Sequence, residues 1–444
     1  MNWIRPQGYI IYTPTYHCNY KCYHCNLENL ATNQIELDAS EIYEVFENSK
    51  TLNKLPIDIS GGEPFLKEDI IEIIKNLTKL SHPVGITTNG SFPEKIRKLI
   101  KEVENTDLIS FGVSIDGFEK IHDKIRGINS FKKAVESLKI IKENDIKMSI
   151  NTTISELNIN YIEQIKQFFE DFHIHHNFTL QSMVMTTNNY YDFNIKNLAP
   201  FLNKADLKFA FSGGRFRIND CYAGYAGCLI NPSGVVYTCL TRGAYYHSNK
   251  FIMGDLRKYD LNFDTLWVSP GANEARQSVK SCVGCYGPCE INREIRCHTI
   301  DLSFSREELS KLDLPNSITM GENDYIFIEN DWHSLENWPP KIRWTGKYAT
   351  AYLKADNYRD KLFIKAFNSF PCIKGQILID KKQVQRFEIL ECEWKLLEVA
   401  LPAFCKNKII EVTIEIEKTW IPDKIINNGD TRELGIAVEK IWME

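Results

Sequence analysis

The sequence predicts an α/β chain: an open, partial TIM-like barrel of about six βα units, then a small Cys-rich α+β region and an all-β sandwich. Three observations carry this. From residue 8 to about 185, short apolar runs alternate with amphipathic stretches, the pattern of strand, crossover helix and parallel strand. From about 200 to 304 that periodicity weakens while glycine and cysteine rise. From about 320 the chain turns to short, often alternating apolar runs separated by turn residues.

Each element follows in order. "GYIIYTPT" reads as the first strand, and "LDASEIYEVFENSK" as a helix with Ser40 at its N-cap and Ile42, Val45 and Phe46 on one face. "LPIDIS" is a second strand; "KEDIIEIIKNLTKL" is a helix with Ile70, Ile73, Ile74 and Leu77 in register. "PVGITTNG", "LISFGVSIDG", "IKMSINTTIS" and "NFTLQSMV" continue the strands, with helices over 93–104, 130–144 and 158–171 between them. In "CLINPSGVVYTC" two strands flank a Pro-Ser-Gly turn, a hairpin signal. Runs such as "KLFIKAF", "LLEVALP" and "IIEVTIEIE" supply the terminal sandwich. The expected domains are 1–195, 196–304 and 318–444.

Composition narrows the function. The 444 residues include 53 basic and 58 acidic side chains, and a net charge of −5 is too weak to imply nucleic acid or an anionic membrane as a partner. No apolar run nears the roughly 18 residues that span a bilayer. The N-terminal stretch shows no secretory signal, so a cytoplasmic location is expected. Thirteen cysteines are many for a reducing compartment. Ten of them cluster, at 18–25, 221–239 and 282–297, which points to metal, while Cys372, Cys392 and Cys405 stand apart as small apolar residues.

Cys18, Cys22 and Cys25 form C-x3-C-x2-C just after the first strand. A zinc site wants four closed ligands, which His17 or His24 could complete only by turning back. Three close cysteines also suit three irons of a cubane, leaving the fourth iron open to a substrate or cofactor. "ISGGEP" ends the second strand, and its paired glycines, Gly61 and Gly62, expose backbone for close approach to a ligand. Glu63, before Pro64, or the loop carbonyls could receive an ammonium group. "VSIDG" offers Ser114 and Asp116 to sugar hydroxyls.

This ordered set, with TNG at Thr88–Gly90 after the third strand, resembles the radical S-adenosylmethionine enzymes over about residues 8–185. "HDKIRG" followed by Ser130 and Phe131 resembles the subgroup that carries extra iron–sulfur domains. The resemblance implies a [4Fe–4S] cluster on Cys18, Cys22 and Cys25, whose open iron takes the amino and carboxylate groups of S-adenosylmethionine. It places the cofactor against Gly61, Gly62, Glu63, Pro64, Asn89, Ser114, Asp116 and Asn151. It further implies a 5′-deoxyadenosyl radical, hydrogen abstraction from substrate, and a flavodoxin or ferredoxin as electron donor. His24 stands where the family has an aromatic residue beside the adenine.

Cys221, Gly234 and Cys239, then Cys282 and Cys285, are similar to SPASM and twitch domains, which implies at least one auxiliary [4Fe–4S] cluster. A zinc site on the same four cysteines is the alternative. Cys228, Cys289 and Cys297 are further candidate ligands, because the chain departs from the full SPASM spacing. Leu240 stands where sulfatase-maturating relatives have an Asp, which counts against that chemistry. Arg242, Tyr245, Tyr246 and His247 are candidates for substrate contact, with surface loop residues as the plainer interpretation.

"WIPDKIINNGDTRELGIAVEKI" resembles β-sandwich modules of bacterial polysaccharide enzymes. Trp332, Trp338, Trp344, Trp394 and Trp420 could stack on sugars, although core packing is the commoner use. The expected substrate is therefore a saccharide or nucleotide sugar, oxidised, epimerised or dehydrated. One alternative is maturation of a ribosomal peptide, which predicts a docking domain that the about seven residues before the first strand do not supply. The other is a zinc-stabilised, non-catalytic glycan-binding scaffold.

Overall fold

The computed structural model describes residues 8–31, 34–170, 174–180, 198–212, 221, 223–239, 248–282, 303–322, 324, 326–336, 339–370 and 372–444. The chain divides into two compact units, one from Met1–Phe193 with Lys204–Leu302 and one from Ser303–Glu444 with Asn194–Asn203.

In the first unit, six strands pair in parallel in the order β6-β5-β4-β3-β2-β1: β1 Ile10–Tyr12, β2 Ile57–Ile59, β3 Val84–Thr88, β4 Ile109–Ser114, β5 Lys147–Ile154 and β6 His175–Leu180. The crossovers carry helices α1 Ala39–Glu47, α2 Ile70–Lys79, α3 Pro93–Glu102, α4 Glu119–Arg126, α5 Ser130–Glu143 and α6 Ile162–Glu170. The apolar stripe Ile70, Ile73, Ile74 and Leu77 is fully buried on α2. At about 1.5–3 kcal/mol per buried aliphatic side chain, that stripe rather than intrinsic propensity holds the helix. Such a sheet leaves its strand ends at one rim, where the loops after β1 to β5 gather.

Three local differences from expectation have physical causes. The N-cap of α1 is Asp38, not Ser40: its carboxylate accepts from the Ser40 and Glu41 backbone N–H groups, and Glu41 returns a bond to the Asp38 N–H. Helix α4 lies outside the expected elements: its eight residues are mostly polar, with only Ile121 and Ile125 apolar, one turn apart. The Cys-rich region is continuous with the barrel sheet. Strand β7, Cys228–Ile230, pairs in parallel with β1, and β8 Val235–Tyr237 and β9 Ile252–Asp255 continue it antiparallel. Asp264 ties this extension to the end of α1, accepting from Ser49 Oγ at 2.6 Å and from the Lys50 and Thr51 N–H groups at 2.9 and 3.0 Å.

The second unit is β-rich, with a six-stranded and a five-stranded sheet whose pairs are all antiparallel. Along Ile409–Ile416, alternate residues Ile410, Val412, Ile414 and Ile416 are buried. The unit begins at Ser303, before the expected 318. Of the candidate tryptophans, Trp344 is buried, Trp332 and Trp420 are half-buried and Trp394 is exposed. Trp344 is 5% exposed and edge-on to Trp420, which stacks on Phe370 at 5.2 Å. Trp332 donates to the Thr350 carbonyl, and Trp394 packs on Phe367 beneath Lys365. Trp338 lies outside the described residues. The Asp430–Arg432 stretch closes on itself and on Glu336, as a folded corner does.

Candidate functional site

The loop after β1 carries Cys18, Cys22 and Cys25, each half-buried and in no disulfide. The loop after β2 is sewn to it through backbone. Ser60 N–H donates to the Tyr12 carbonyl (3.1 Å), Gly62 N–H to Thr15 (3.0 Å) and Glu63 N–H to His17 (2.9 Å). The paired glycines permit this. A Cβ on Gly61 would stand 2.4 Å from Thr13 Cγ2, and Gly61 has φ +138°; a Cβ on Gly62 would stand 2.0 Å from the His17 carbonyl oxygen. The close approach inferred from the glycines is thus first an approach to the cysteine loop itself.

Glu63 is fully buried, and its side chain joins the second loop to the third. It accepts from Phe65 N–H (3.1 Å), Thr88 Oγ1 (2.8 Å) and Asn89 N–H (2.8 Å). Burial pushes its carboxyl up to about 7, opposed by those three donors. Its carboxylate is committed to the protein, so the side chain is not an open ammonium receptor; Pro64 behind it is buried. Asn89 turns its amide toward the cysteine loop, with Nδ2 3.0 Å from Asn19 Oδ1 and 3.8 Å from Cys18 Sγ.

The fourth loop supplies an ion pair. Arg126, at the end of α4, is 8% exposed; its Nε donates to Asp116 Oδ2 at 2.6 Å and its Nη1 lies 3.8 Å from Cys22 Sγ. Asp116 is fully buried, and its other oxygen accepts from Thr153 N–H at 2.9 Å. Asp116 is therefore no free acceptor for sugar hydroxyls. Burial alone would raise its pKa, yet Arg126 and then His24 hold it below the ordinary range. His122 Nδ1 accepts the Asp116 N–H at 3.1 Å, and Asp123 caps α5 through Asn129 N–H, Phe131 N–H and Ser130 Oγ. These bonds account for "HDKIRG" followed by Ser-Phe as one folding motif, and its Arg is the site residue that sequence reasoning passed over.

His24 is buried with Nδ1 3.9 Å from Asp116 Oδ2, and desolvation, helped by Arg126 against Asp116, lowers it to about 4. His17 is exposed. Ser114 and Asn151 stand side by side in register on β4 and β5. Asn151 lies flat because Gly112 has no Cβ, which would sit 2.4 Å from its Nδ2. Asn177 on β6 donates to Asn151 Oδ1 at 3.0 Å, extending this row beyond the expected pair.

The donor set, three cysteines at C-x3-C-x2-C spacing on one loop, fits three irons of a cubane. Among the described residues no three Cys, His, Asp or Glu groups are already gathered to hold a metal ion. Burial raises Cys18 and pushes the Cys22 thiol up to about 12, so as a free protein these are neutral thiols that lose their protons on binding a cation. The Asn89 and Arg126 N–H groups lie beside two of the three sulfurs, where they suit thiolates.

In the extension, Cys221, Cys239 and Cys282 pack against one small cluster of Ala223, Phe251 and Val279. Cys228 does not belong with them; it is fully buried on β7 in register with Ile10. Cys285, Cys289 and Cys297 lie outside the described residues, as do Leu240, Arg242, Tyr245, Tyr246 and His247.

Residues 12–169 match the model of the Radical SAM superfamily. The pre-heme d1 synthase of Dinoroseobacter shibae is 27% identical over 168 residues, covering 37% of this chain and 41% of that protein. The mycofactocin maturase MftC of Mycolicibacterium smegmatis is 26% identical over 301 residues, covering 61% and 73%. Among solved structures, Streptococcus suis SuiB bound to precursor peptide SuiA is 18% identical with a TM-score of 0.49, covering 66% and 76%. The chain thus spans about two-fifths of the first-named relative and more of the second. With the cysteine loop, the paired glycines and the strand-end loops gathered on one rim, residues 12–169 are a radical SAM domain.

Proposed function

We propose that this chain cleaves S-adenosylmethionine reductively and abstracts a hydrogen atom from a peptide precursor, acting as a maturase. The observation that carries the proposal is the convergence of the loops after β2, β3 and β4 on the loop that carries Cys18, Cys22 and Cys25, a three-cysteine set that suits a cluster with one iron free of protein ligands. When bound, that cluster supplies the single electron that breaks a carbon–sulfur bond of S-adenosylmethionine. The protein's own work is positional. Gly61 and Gly62 bring backbone beside the cluster for the methionine amine, while Ser114 and Asn151 offer a hydroxyl and an amide to the ribose or carboxylate. Glu63 and Asp116 fix the neighbouring loops through their carboxylates.

A peptide is preferred to a saccharide for one reason from each side. The match to a protein named a maturase runs well past the barrel, over 301 residues. The tryptophans that favoured sugars are mostly tied up within the second unit. Cys221, Cys239 and Cys282 would hold an auxiliary cluster, a further one-electron site, and a flavodoxin or ferredoxin would donate the electron. The test is isotopic: deuterated peptides and deuterated nucleotide sugars are offered separately to reconstituted enzyme. Deuterium in 5′-deoxyadenosine from the peptide supports the proposal, and deuterium from the sugar alone overturns its substrate class.

A further inference from the structure

A buried ion pair needs a reason. Replacing one with apolar groups of similar volume is often neutral or stabilising, so stability alone does not explain why Arg126 and Asp116 sit together out of water. The pair is also fixed. Asp116 is held through Oδ2 by Arg126 Nε, through Oδ1 by Thr153 N–H, and through its carbonyl by Asn158 Nδ2 at 2.9 Å. Asn158 is itself fully buried and bridges to the Thr153 carbonyl. Arg126 is thereby held in place, with Nη1 directed at Cys22 Sγ.

We propose that Arg126, oriented by Asp116, sets the reduction potential of the cluster bound by Cys18, Cys22 and Cys25, with Asn89 as a weaker, neutral partner. The inference rests on the function proposed above. One-electron reduction adds a negative charge that is shared with the ligating sulfurs. An N–H donor at a sulfur, and a cation behind it, stabilise the reduced form more than the oxidised one and raise the potential. Arg126 and Asp116 are buried, where the effect is stronger than at a surface. Asp116 carries the opposite charge farther from the sulfur, so the pair acts as a dipole with its positive end toward Cys22. Asn89 directs an uncharged amide at Cys18, and so contributes less.

The geometry predicts opposite signs for the two members of the pair. Removing the cation, in Arg126→Met, lowers the potential. Removing the anion while keeping its shape, in Asp116→Asn, leaves the cation unopposed and raises it. Arg126→Lys retains the charge but loses the fork, and falls between wild type and Arg126→Met. A purely structural role predicts no such reversal, because either change would only loosen the cluster.

The experiment is a dithionite redox titration of the full-length reconstituted protein, following the paramagnetic resonance signal that S-adenosylmethionine perturbs. Iron content and circular dichroism are measured on each variant. At a fixed potential, the reduced-to-oxidised ratio is expected to fall about tenfold in Arg126→Met, equivalent to about 59 mV for one electron. It is expected to rise in Asp116→Asn. Should Arg126→Met lose its cluster, the ordering of Arg126→Lys below wild type and Asp116→Asn above it decides the matter. Cluster-loaded variants with unchanged or same-signed shifts overturn the inference alone. Wild-type protein that holds no S-adenosylmethionine-sensitive cluster overturns the proposed function, and this inference with it.

Discussion

At the residue scale, the site is governed by buried polar groups whose partners are other parts of the protein. His122 is the clearest to test, because it lies behind the cysteine loop and touches Asp116 only through that residue's backbone. Burial, and then Arg126, lowers it to about 4 from the ordinary 6.5. Between those values the unfolded chain binds a proton that the folded one refuses, so stability is full above pH 6.5 and is lost as pH falls toward 4. Denaturant titrations across this window should show a slope approaching 1.4 kcal/mol per pH unit from this group. His122→Asn, whose amide oxygen can take the Asp116 N–H, should remove that part of the slope. A second residue-scale expectation concerns Gly62. Its absent Cβ clears the His17 carbonyl, so Gly62→Ala should cost about 1–3 kcal/mol, as overpacking does, and lower iron content on reconstitution.

Much at this scale was legible in the chain, and the reason is spacing. Cys18, Cys22 and Cys25 and the paired glycines advertise their chemistry in a few consecutive letters. Glu63 and Asp116 were legible as members of the site but not in role, because a carboxylate in a loop looks the same whether it faces a ligand or a neighbouring loop. Arg126 was invisible for a related reason: its partners Asp116 and Cys22 lie 10 and 104 positions away.

At the scale of elements, the parallel strands and α2, α3, α5 and α6 could be read from apolar periodicity, with ends shifted by up to a few residues. Helix α4 was not read, since eight mostly polar residues with two isoleucines resemble a loop more than a buried helix. The cap of α1 makes a compact test. Asp38→Ala removes the capping box and should cost about 1 kcal/mol, whereas Ser40→Ala, which loses only a hydroxyl bond to Asp38, should change stability by less than about half that. Urea unfolding of the two variants separates the cap that the structure shows from the one expected.

At the scale of the whole molecule, the chain is an α/β unit with a β-sheet extension that adds β7, β8 and β9 to the same sheet, and a second, β-rich unit. The continuity between β1 and β7 could not be read in advance, because sheet neighbours 218 positions apart, such as Ile10 and Cys228, leave no local pattern. Cys221, Cys239 and Cys282 pack against one small apolar cluster in this extension, and the helix Pro270–Lys280 ends just before Cys282. Changing these three to Ala should remove about four irons per chain while sparing the cluster on the first loop. Iron analysis with paramagnetic resonance checks this, and full iron retention would contradict an auxiliary cluster there.

The central claim is that the loops around Cys18, Cys22 and Cys25 serve reductive cleavage of S-adenosylmethionine. The most direct measurement is release of 5′-deoxyadenosine by anaerobically reconstituted protein given dithionite and S-adenosylmethionine, beside Cys22→Ala treated alike. Release by the wild type and none by Cys22→Ala is the predicted result. Iron-loaded wild-type protein that releases none, or a Cys22→Ala variant that releases as much, would contradict it.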